Sequence, residues 1–389
     1  MKKIKDAESF SIFSVLVHSA GKWPDRPAIV DEHGTMDYRT LLEETEKTAD
    51  VLADHGLRKG DGVGVQARNG RGFIIGVFAA VRCGATVMPI AHTLVPAERE
   101  AILGRTPVHV VITDRESSRD FASRGKEVAI NGSPVFNLYE TGLSRNRRIV
   151  DRVPDAAFVR YTSGTTGAEK GVVLSHRGVY ERIVAANRGL CLNQDDSVLF
   201  VLPMAYHFYV SIILYLHAGA AIIIAGEHTA AALVEMITRH RVTFLYASPF
   251  HYRMLLAARP PGKVLETLRL AVSTSTGLSP DIAENFYAAF GRRITQAYGI
   301  IEVGLPIINL HDDMRKAHAI GRPLPDYEAG ILGDDGGRLE PGAVGHLAVR
   351  GPGMFSAYLD PFRRREEVLS NGWFMTGDMA SREVDGTIT

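Results

Sequence analysis

The sequence predicts an α/β protein: two stacked, mostly parallel sheet subdomains with flanking helices, at 1–155 and 156–320, and a small antiparallel β-barrel subdomain at 321–389. Three observations predict it. Short apolar runs alternate with helix-period segments through the first 115 residues, as in parallel-sheet proteins; the alternation resumes after a polar, Arg-rich connection from Glu140 to Pro154; and beyond Gly321 the texture changes to short strands and Gly/Pro turns. A chain of 389 residues exceeds one ordinary core, so several packed units are expected.

In the first region, strands are predicted at Ala28-Ile29-Val30, Val63 to Gln66, Thr86 to Ile90 and Val108 to Thr113. Between them Leu41, Leu42, Thr45, Ala49 and Leu52 mark one face of a helix over Tyr38 to His55, which stops at Gly56. Phe73 to Cys83, closed by Gly84, and Ala97 to Gly104 read as two more helices. The second region places strands at Phe158 to Tyr161, Val198 to Leu202, Ala220 to Ile224, Thr243 to Ala247 and Arg269 to Ser273, with a helix over Arg177 to Arg188. Tyr209 to Ala225 is nearly apolar, but Ser211, His217 and Gly219 interrupt it. A buried helix, a break and a buried strand are predicted there, not a membrane span.

Composition excludes several functions. Lys plus Arg and Asp plus Glu are 44 each, with no basic run interleaved with aromatics, so nucleic acid is not an expected partner. Cys83 and Cys191 are too few for a disulfide framework or a Cys-rich zinc site and read as buried free thiols. Asp6 and Glu8 stand where a signal peptide needs an apolar core, so a cytoplasmic protein is expected.

The segment richest in chemistry is Tyr161-Thr162-Ser163-Gly164-Thr165-Thr166-Gly167-Ala168-Glu169-Lys170-Gly171. Its glycines let backbone N–H groups converge on one point, while the hydroxyls and the Lys170 ammonium add donors and charge. This is a phosphate cradle. The spacing is not that of the Walker loop, and Gly62-Val63-Gly64 lies inside a predicted strand, so neither a P-loop nor a dinucleotide fingerprint is present. Without a G-x-S-x-G elbow or H-E-x-x-H, a serine or zinc hydrolase has no anchor.

The loop resembles the phosphate-binding loop of the adenylate-forming superfamily of acyl-CoA synthetases, luciferases and peptide-synthetase adenylation domains. Three further segments resemble family segments in family order: Leu202-Pro203-Met204-Ala205-Tyr206-His207 resembles P-x-x-H, here with three residues between Pro203 and His207, Tyr298-Gly299-Ile300-Ile301-Glu302 resembles Y-G-x-T-E, and Thr376-Gly377-Asp378 resembles T-G-D. The resemblance implies that Thr162, Ser163, Gly164, Thr165, Thr166, Gly167 and Lys170 cradle the ATP phosphates. It places Ser275, Gln296, Ala297, Tyr298 and Gly299 around adenine, with Tyr298 stacked on it. Asp378 would accept from the ribose hydroxyls, Glu302 would bind Mg²⁺, and His207 would lie beside the incoming carboxylate. His207, Glu302 and Lys170 are then the expected catalytic residues. The reaction implied is attack of a carboxylate on the α-phosphorus, giving an acyl adenylate. Transfer to the thiol of coenzyme A follows, or to a carrier-protein pantetheine, which would make an acyl carrier protein a partner; a homodimer is also open.

This chain departs from that pattern in places. Glu169 replaces the usual loop proline, Ser275 stands where the family has a glycine, and Ile301 replaces a threonine whose hydroxyl contacts the α-phosphate. The chain ends at Asp385-Gly386-Thr387-Ile388-Thr389, where the resemblance places the hinge. The family's C-terminal domain is thus expected to be absent and turnover impaired, and a catalytically weak binder of ATP or acyl adenylate is the alternative to a ligase. For the acid, Phe208 to Leu214 carries no carboxylate to hold an ammonium, so an amino acid is disfavoured. Gly299 in place of a tryptophan leaves room, and Phe208, Tyr246, Phe250, Ile300 and Val303 suggest apolar walls. A fatty or aryl acid is the expectation.

Overall fold

Strands covered on both faces read as unbroken apolar runs, and that is how the two large sheets of this protein are built. The computed structural model describes residues 10–121, 128–130, 136–162, 170–226, 229–311 and 313–389. Among these, one nine-stranded sheet runs in the order Phe362–Arg364, Ala357–Leu359, Lys170–Ser175, Ala156–Thr162, Thr86–Ile90, Gly62–Gln66, Val110–Thr113, Phe136–Glu140 and Val128–Ile130. Gly62–Gln66 and Thr86–Ile90 are parallel and buried along their whole length. The second runs Arg322–Pro323, Gly304–Ile308, Ile294–Ile300, Leu270–Ser273, Phe244–Ala247, Ser197–Phe200, Ala221–Ile224, Pro27–Asp31 and Gly34–Asp37. A three-stranded antiparallel sheet, Glu328–Leu332, Val344–Arg350 and Phe374–Ser381, forms the small third unit.

Sheet membership does not follow the divisions expected at 155 and 320. Ala156–Thr162 and Lys170–Ser175 join the sheet of the first region, while Pro27–Asp31 crosses to the second and pairs in parallel with Ala221–Ile224. Ala357–Leu359 returns from the last third of the chain to pair with Val172 and Val173. Such pairings are set by long-range burial, which local periodicity does not encode.

Local signals set the element ends. The helix Tyr38–Asp54 is capped by the Asp37 carboxylate, which accepts from Thr40 N at 2.7 Å, and ends at Gly56 with φ +89°. Gly62 and Gly64 are structural: a Cβ at Gly62 would stand 1.8 Å from the Pro107 carbonyl oxygen. The apolar stretch after His207 forms a π-helical turn (Phe208–Ile212) and a helix (Ile213–Ala218), which Gly219 ends at φ +79° before the strand Ala221–Ile224. Among the described residues no helix is long and apolar enough to cross a membrane. The thiols are not both buried: Cys83 is half-buried, and Cys191 is exposed because it is the left-handed C-cap of helix His176–Leu190, turned out of the packed face. That helix buries Val179 and Ile183 as its periodicity predicts, and also Arg182.

Candidate functional site

Strands Ala156–Thr162 and Lys170–Ser175 form an antiparallel hairpin in which Thr162 pairs with Lys170, so the glycine-rich loop is closed at its base by these two residues. Ser163, Gly164, Thr165, Thr166 and Gly167 lie outside the described residues. Lys170 reaches towards Tyr358, its Nζ 5.2 Å from the ring centroid. On the same tyrosine, the hydroxyl donates to Glu302 Oε1 at 3.0 Å. Burial, and then the Glu302 carboxylate beside it, push the Tyr358 phenol well up, so it stays a protonated donor. Lys170 and Glu302, far apart in sequence, are thus gathered around one ring that lies outside all four family-like segments.

Glu302 sits on the turn between strands Ile294–Ile300 and Gly304–Ile308. Arg182, wholly buried, holds that turn: its Nη1 donates to the Ile301 carbonyl at 2.9 Å, and its Nε and Nη2 donate to the Gly353 carbonyl at 2.9 and 2.5 Å. The Glu302 carbonyl accepts from Phe355 N at 2.7 Å. The backbone of the turn is therefore fixed on both sides while the carboxylate is left to face the loop hairpin. Among the described residues no cluster of three His, Cys, Asp or Glu could hold a metal. A single carboxylate fits Mg²⁺, which commonly takes one or two carboxylates and completes its shell with phosphate oxygens and water.

Tyr298 and Asp378 also meet: the phenol donates to Asp378 Oδ2 at 2.5 Å, joining the second large sheet to the small one. Burial and the bond to Asp378 push the Tyr298 phenol upward. Asp378 is exposed, leaving carboxylate lone pairs for further donors. Gln296 turns inward, its Oε1 accepting from Leu278 N at 2.8 Å, and Ala297 is buried in the strand. Gly299 is required by close backbone approach, because a Cβ there would lie 2.7 Å from the Gly304 carbonyl oxygen. Ser275 adopts φ +76°, the left-handed region that suits the glycine it replaces.

His207 lies between two cavities. One, of about 570 Å³, is open and brings His207 together with Pro203, Phe250, Ser275, Thr276 and Gly277. The other, of about 80 Å³, is lined by His207, Tyr246, Gly299, Ile300 and Ile301 together with Arg160, Ser211 and Thr274. The imidazole is half-buried and stands edge-on to Tyr246 and Phe200, with ring centroids at 5.7 and 6.3 Å. Burial, and then the Arg160 charge, lower its pKa to about 3, so the ring is neutral at physiological pH.

The expected pocket walls divide accordingly. Tyr246 and Ile300 line the smaller cavity, as does Ile301, expected at the α-phosphate and not in this wall; Phe250 is largely exposed in the larger one. Phe208 turns away into the core against Phe73, Phe78 and Phe158, and Val303 is fully buried outside either lining. The cavity wall is not uniformly apolar. Ser211 and Thr274 share hydrogen bonds with the Tyr246 hydroxyl, and the π-helical turn is what carries Tyr209 and Ser211 to the same wall.

Residues 16–359 match the profile of the family described as AMP-binding enzyme. Over 388 residues the chain is 29% identical to an indoleacetate–CoA ligase of Aromatoleum aromaticum, with 94% of this chain and 75% of that one covered. It is also 29% identical to a sulfoacetate–CoA ligase of Cupriavidus necator, with 98% and 78% covered. Among solved structures it superposes on apo MatB from Rhodopseudomonas palustris with a TM-score of 0.81 at 23% identity, covering 97% of this chain and 77% of that one. On o-succinylbenzoate CoA synthetase from Bacillus subtilis in complex with its acyl-adenylate intermediate, the TM-score is 0.80 at 22% identity, covering 96% and 97%.

Proposed function

Because this chain belongs to the AMP-binding enzyme family, we propose that it activates a carboxylic acid with ATP to an acyl adenylate and passes the acyl group to the thiol of coenzyme A. The observation that carries this reading is the gathering of Lys170 and Glu302 around Tyr358 at the base of the glycine-rich loop, with Tyr298 and Asp378 joined nearby. A cation and a carboxylate at one loop suit a polyphosphate and its counter-ion. An aromatic ring beside an exposed carboxylate suits a nucleoside.

In this reading Thr162, Lys170 and the loop between them hold the β- and γ-phosphates, and Lys170 offsets the charge that grows on the pyrophosphate leaving group. Glu302 would hold Mg²⁺, which when bound neutralises phosphate charge. Tyr298 stacks on adenine and Asp378 accepts from the ribose hydroxyls. Neutral His207 faces the carboxylate without binding it as a counter-ion, which leaves the oxygen free to attack the α-phosphorus. The carboxylate oxygen forms the new P–O bond, the bond to the β-phosphate oxygen breaks, and pyrophosphate leaves with its electron pair. The ligases of indoleacetate and sulfoacetate among its relatives support coenzyme A as the acceptor over a carrier-protein pantetheine.

The smaller cavity narrows the acid. At about 80 Å³ it is far below the roughly 300–1,000 Å³ of pockets for drug-sized ligands, which favours a short acid over a long fatty chain. Acid-dependent pyrophosphate release, measured over a panel of acids with and without coenzyme A, tests the proposal. AMP and a thioester as products support it. Hydrolysis of ATP to ADP, or release that no acid changes, refutes it.

A further inference from the structure

The cavity beside His207 contains a cation to which the ligase reading gives no task. Arg160 stands on strand Ala156–Thr162, immediately before the glycine-rich segment, and lines the cavity with Tyr206, Tyr209, Tyr246, Ser211 and Thr274. Its guanidinium carbon lies 4.6 Å from the Tyr206 ring centroid, and its Nη1 donates to the Tyr206 carbonyl at a long 3.3 Å. It also shares a hydrogen bond with the Tyr209 hydroxyl. Its Nε is buried and has no partner. No Asp or Glu is among the described residues that line this cavity.

A guanidinium is always charged, and burying part of it with an unused donor and no carboxylate is costly unless a bound anion answers it. Nearby groups cannot take over the positive charge. His207 is held neutral by its burial, and Ser211, Thr274 and the tyrosines offer hydroxyls only. The wall therefore pairs one cation with several hydroxyl donors in a small space, a combination that matches an oxyanion and not an alkyl terminus.

Building on the ligase reading, we propose that the acid taken by this cavity is short and carries a second oxyanion, a carboxylate or a sulfonate, remote from its reacting carboxyl, and that Arg160 pairs with that group. Arg160 is then a specificity residue: it selects the acid and takes no part in bond making. A methyl-ended acid of the same length leaves the guanidinium without its partner, so discrimination comes from an unpaired buried charge and not from size.

Calorimetric titration of the 389-residue chain, with a non-hydrolysable ATP analogue present, tests this on acids matched in carbon count and ending in methyl, carboxylate or sulfonate. The wild type should bind at least one charged-ended acid tenfold or more tighter than the methyl-ended one. Arg160→Met should abolish or reverse that preference, and Arg160→Lys should keep its sign. Comparison of the carboxylate and sulfonate arms identifies the oxyanion. Three results overturn the proposal: a wild type that binds the methyl-ended acid as tightly, no binding of any acid, or an Arg160→Met that weakens all members equally, which would assign Arg160 to the reacting carboxyl or to the fold. Pyrophosphate release measured on the same acids reads the ligase separately. A charged-end preference in binding without acid-dependent release refutes the ligase and leaves the pairing standing. Release confined to methyl-ended acids refutes the pairing and leaves the ligase.

Discussion

The Tyr358 hydroxyl donates to Glu302 at 3.0 Å while Lys170 stands over the face of the same ring, so one aromatic side chain sets the spacing between a carboxylate and an ammonium at the base of the glycine-rich loop. Tyr358→Phe keeps the ring, which packs against Phe355 at 4.9 Å, and removes only the hydrogen bond. A bond to a charged carboxylate contributes roughly 1.5–3 kcal/mol, about a factor of ten or more in affinity. Titration of Mg²⁺ at fixed ATP should therefore show weaker Mg·ATP binding, with a modest fall in thermal stability because the folded state loses the same bond. An unchanged titration would mean that Glu302 is oriented by its backbone alone.

Arg182→Met should be among the most damaging single changes in the chain. It strands the Ile301 and Gly353 carbonyls in a fully buried position and frees the turn that carries Glu302. Loss of a buried charged donor set costs roughly 3 kcal/mol or more, read as a lower denaturant midpoint. A midpoint within error of the wild type would show that the turn holds itself.

Ile301→Thr separates two roles for one position. The family resemblance gives it an α-phosphate contact, whereas the structure places Ile301 in the lining of the cavity beside His207 and Tyr246. The substitution should then shift the KM for the acid several-fold, since it trims and reshapes that wall, and leave ATP affinity alone. A faster adenylation step at unchanged acid KM would restore the phosphate role.

The four segments that resemble the family were legible because each is contiguous: the residues of the glycine-rich loop, of Pro203 to His207, of Tyr298 to Glu302 and of Thr376 to Asp378 lie side by side in the chain. Strands such as Val63 to Gln66 and the helix from Tyr38 were legible for the same reason, since periodicity is local. Tyr358, Arg182 and Arg160 were not. Tyr358 reaches the site only through the pairing of Ala357–Leu359 with Lys170–Ser175, and Arg182 sits one residue from the apolar stripe of its helix and reads as its solvated edge. Arg160 lies where its strand passes from four buried residues to the partly exposed Tyr161 and Thr162, and a charge at that point could as well have marked an exposed edge. Phe208 misled for a related reason: adjacency to His207 does not fix direction on a π-helical turn, and its ring went to the core.

Ser275→Gly should stabilise the protein. A left-handed conformation costs a non-glycine residue about 1–2 kcal/mol, partly offset by the greater freedom of glycine when unfolded, so a net gain of roughly 0.5–1 kcal/mol is expected in denaturant unfolding. A loss would mean that the serine side chain makes a compensating bond.

Stability should fall as pH drops below about 6.5. Burial holds His207 at a pKa of about 3, so between these values the unfolded chain binds a proton that the folded chain refuses. The slope from this residue alone is up to about 1.4 kcal/mol per pH unit, and His176 and His217, also lowered by burial, act in the same direction. His207→Asn should shrink the difference in melting temperature between pH 7 and pH 5. An undiminished difference would assign the acid sensitivity to the other histidines.

Formation of an acyl adenylate bonds an acid oxygen to the α-phosphorus, and isotope transfer reads that bond directly. The protein is incubated with ATP, Mg²⁺, coenzyme A and an accepted acid labelled with ¹⁸O in its carboxyl group, and the nucleotide product is weighed by mass spectrometry. The product should be AMP carrying one ¹⁸O from the acid, formed together with unlabelled pyrophosphate. Unlabelled AMP, or label recovered in inorganic phosphate beside ADP, would contradict it.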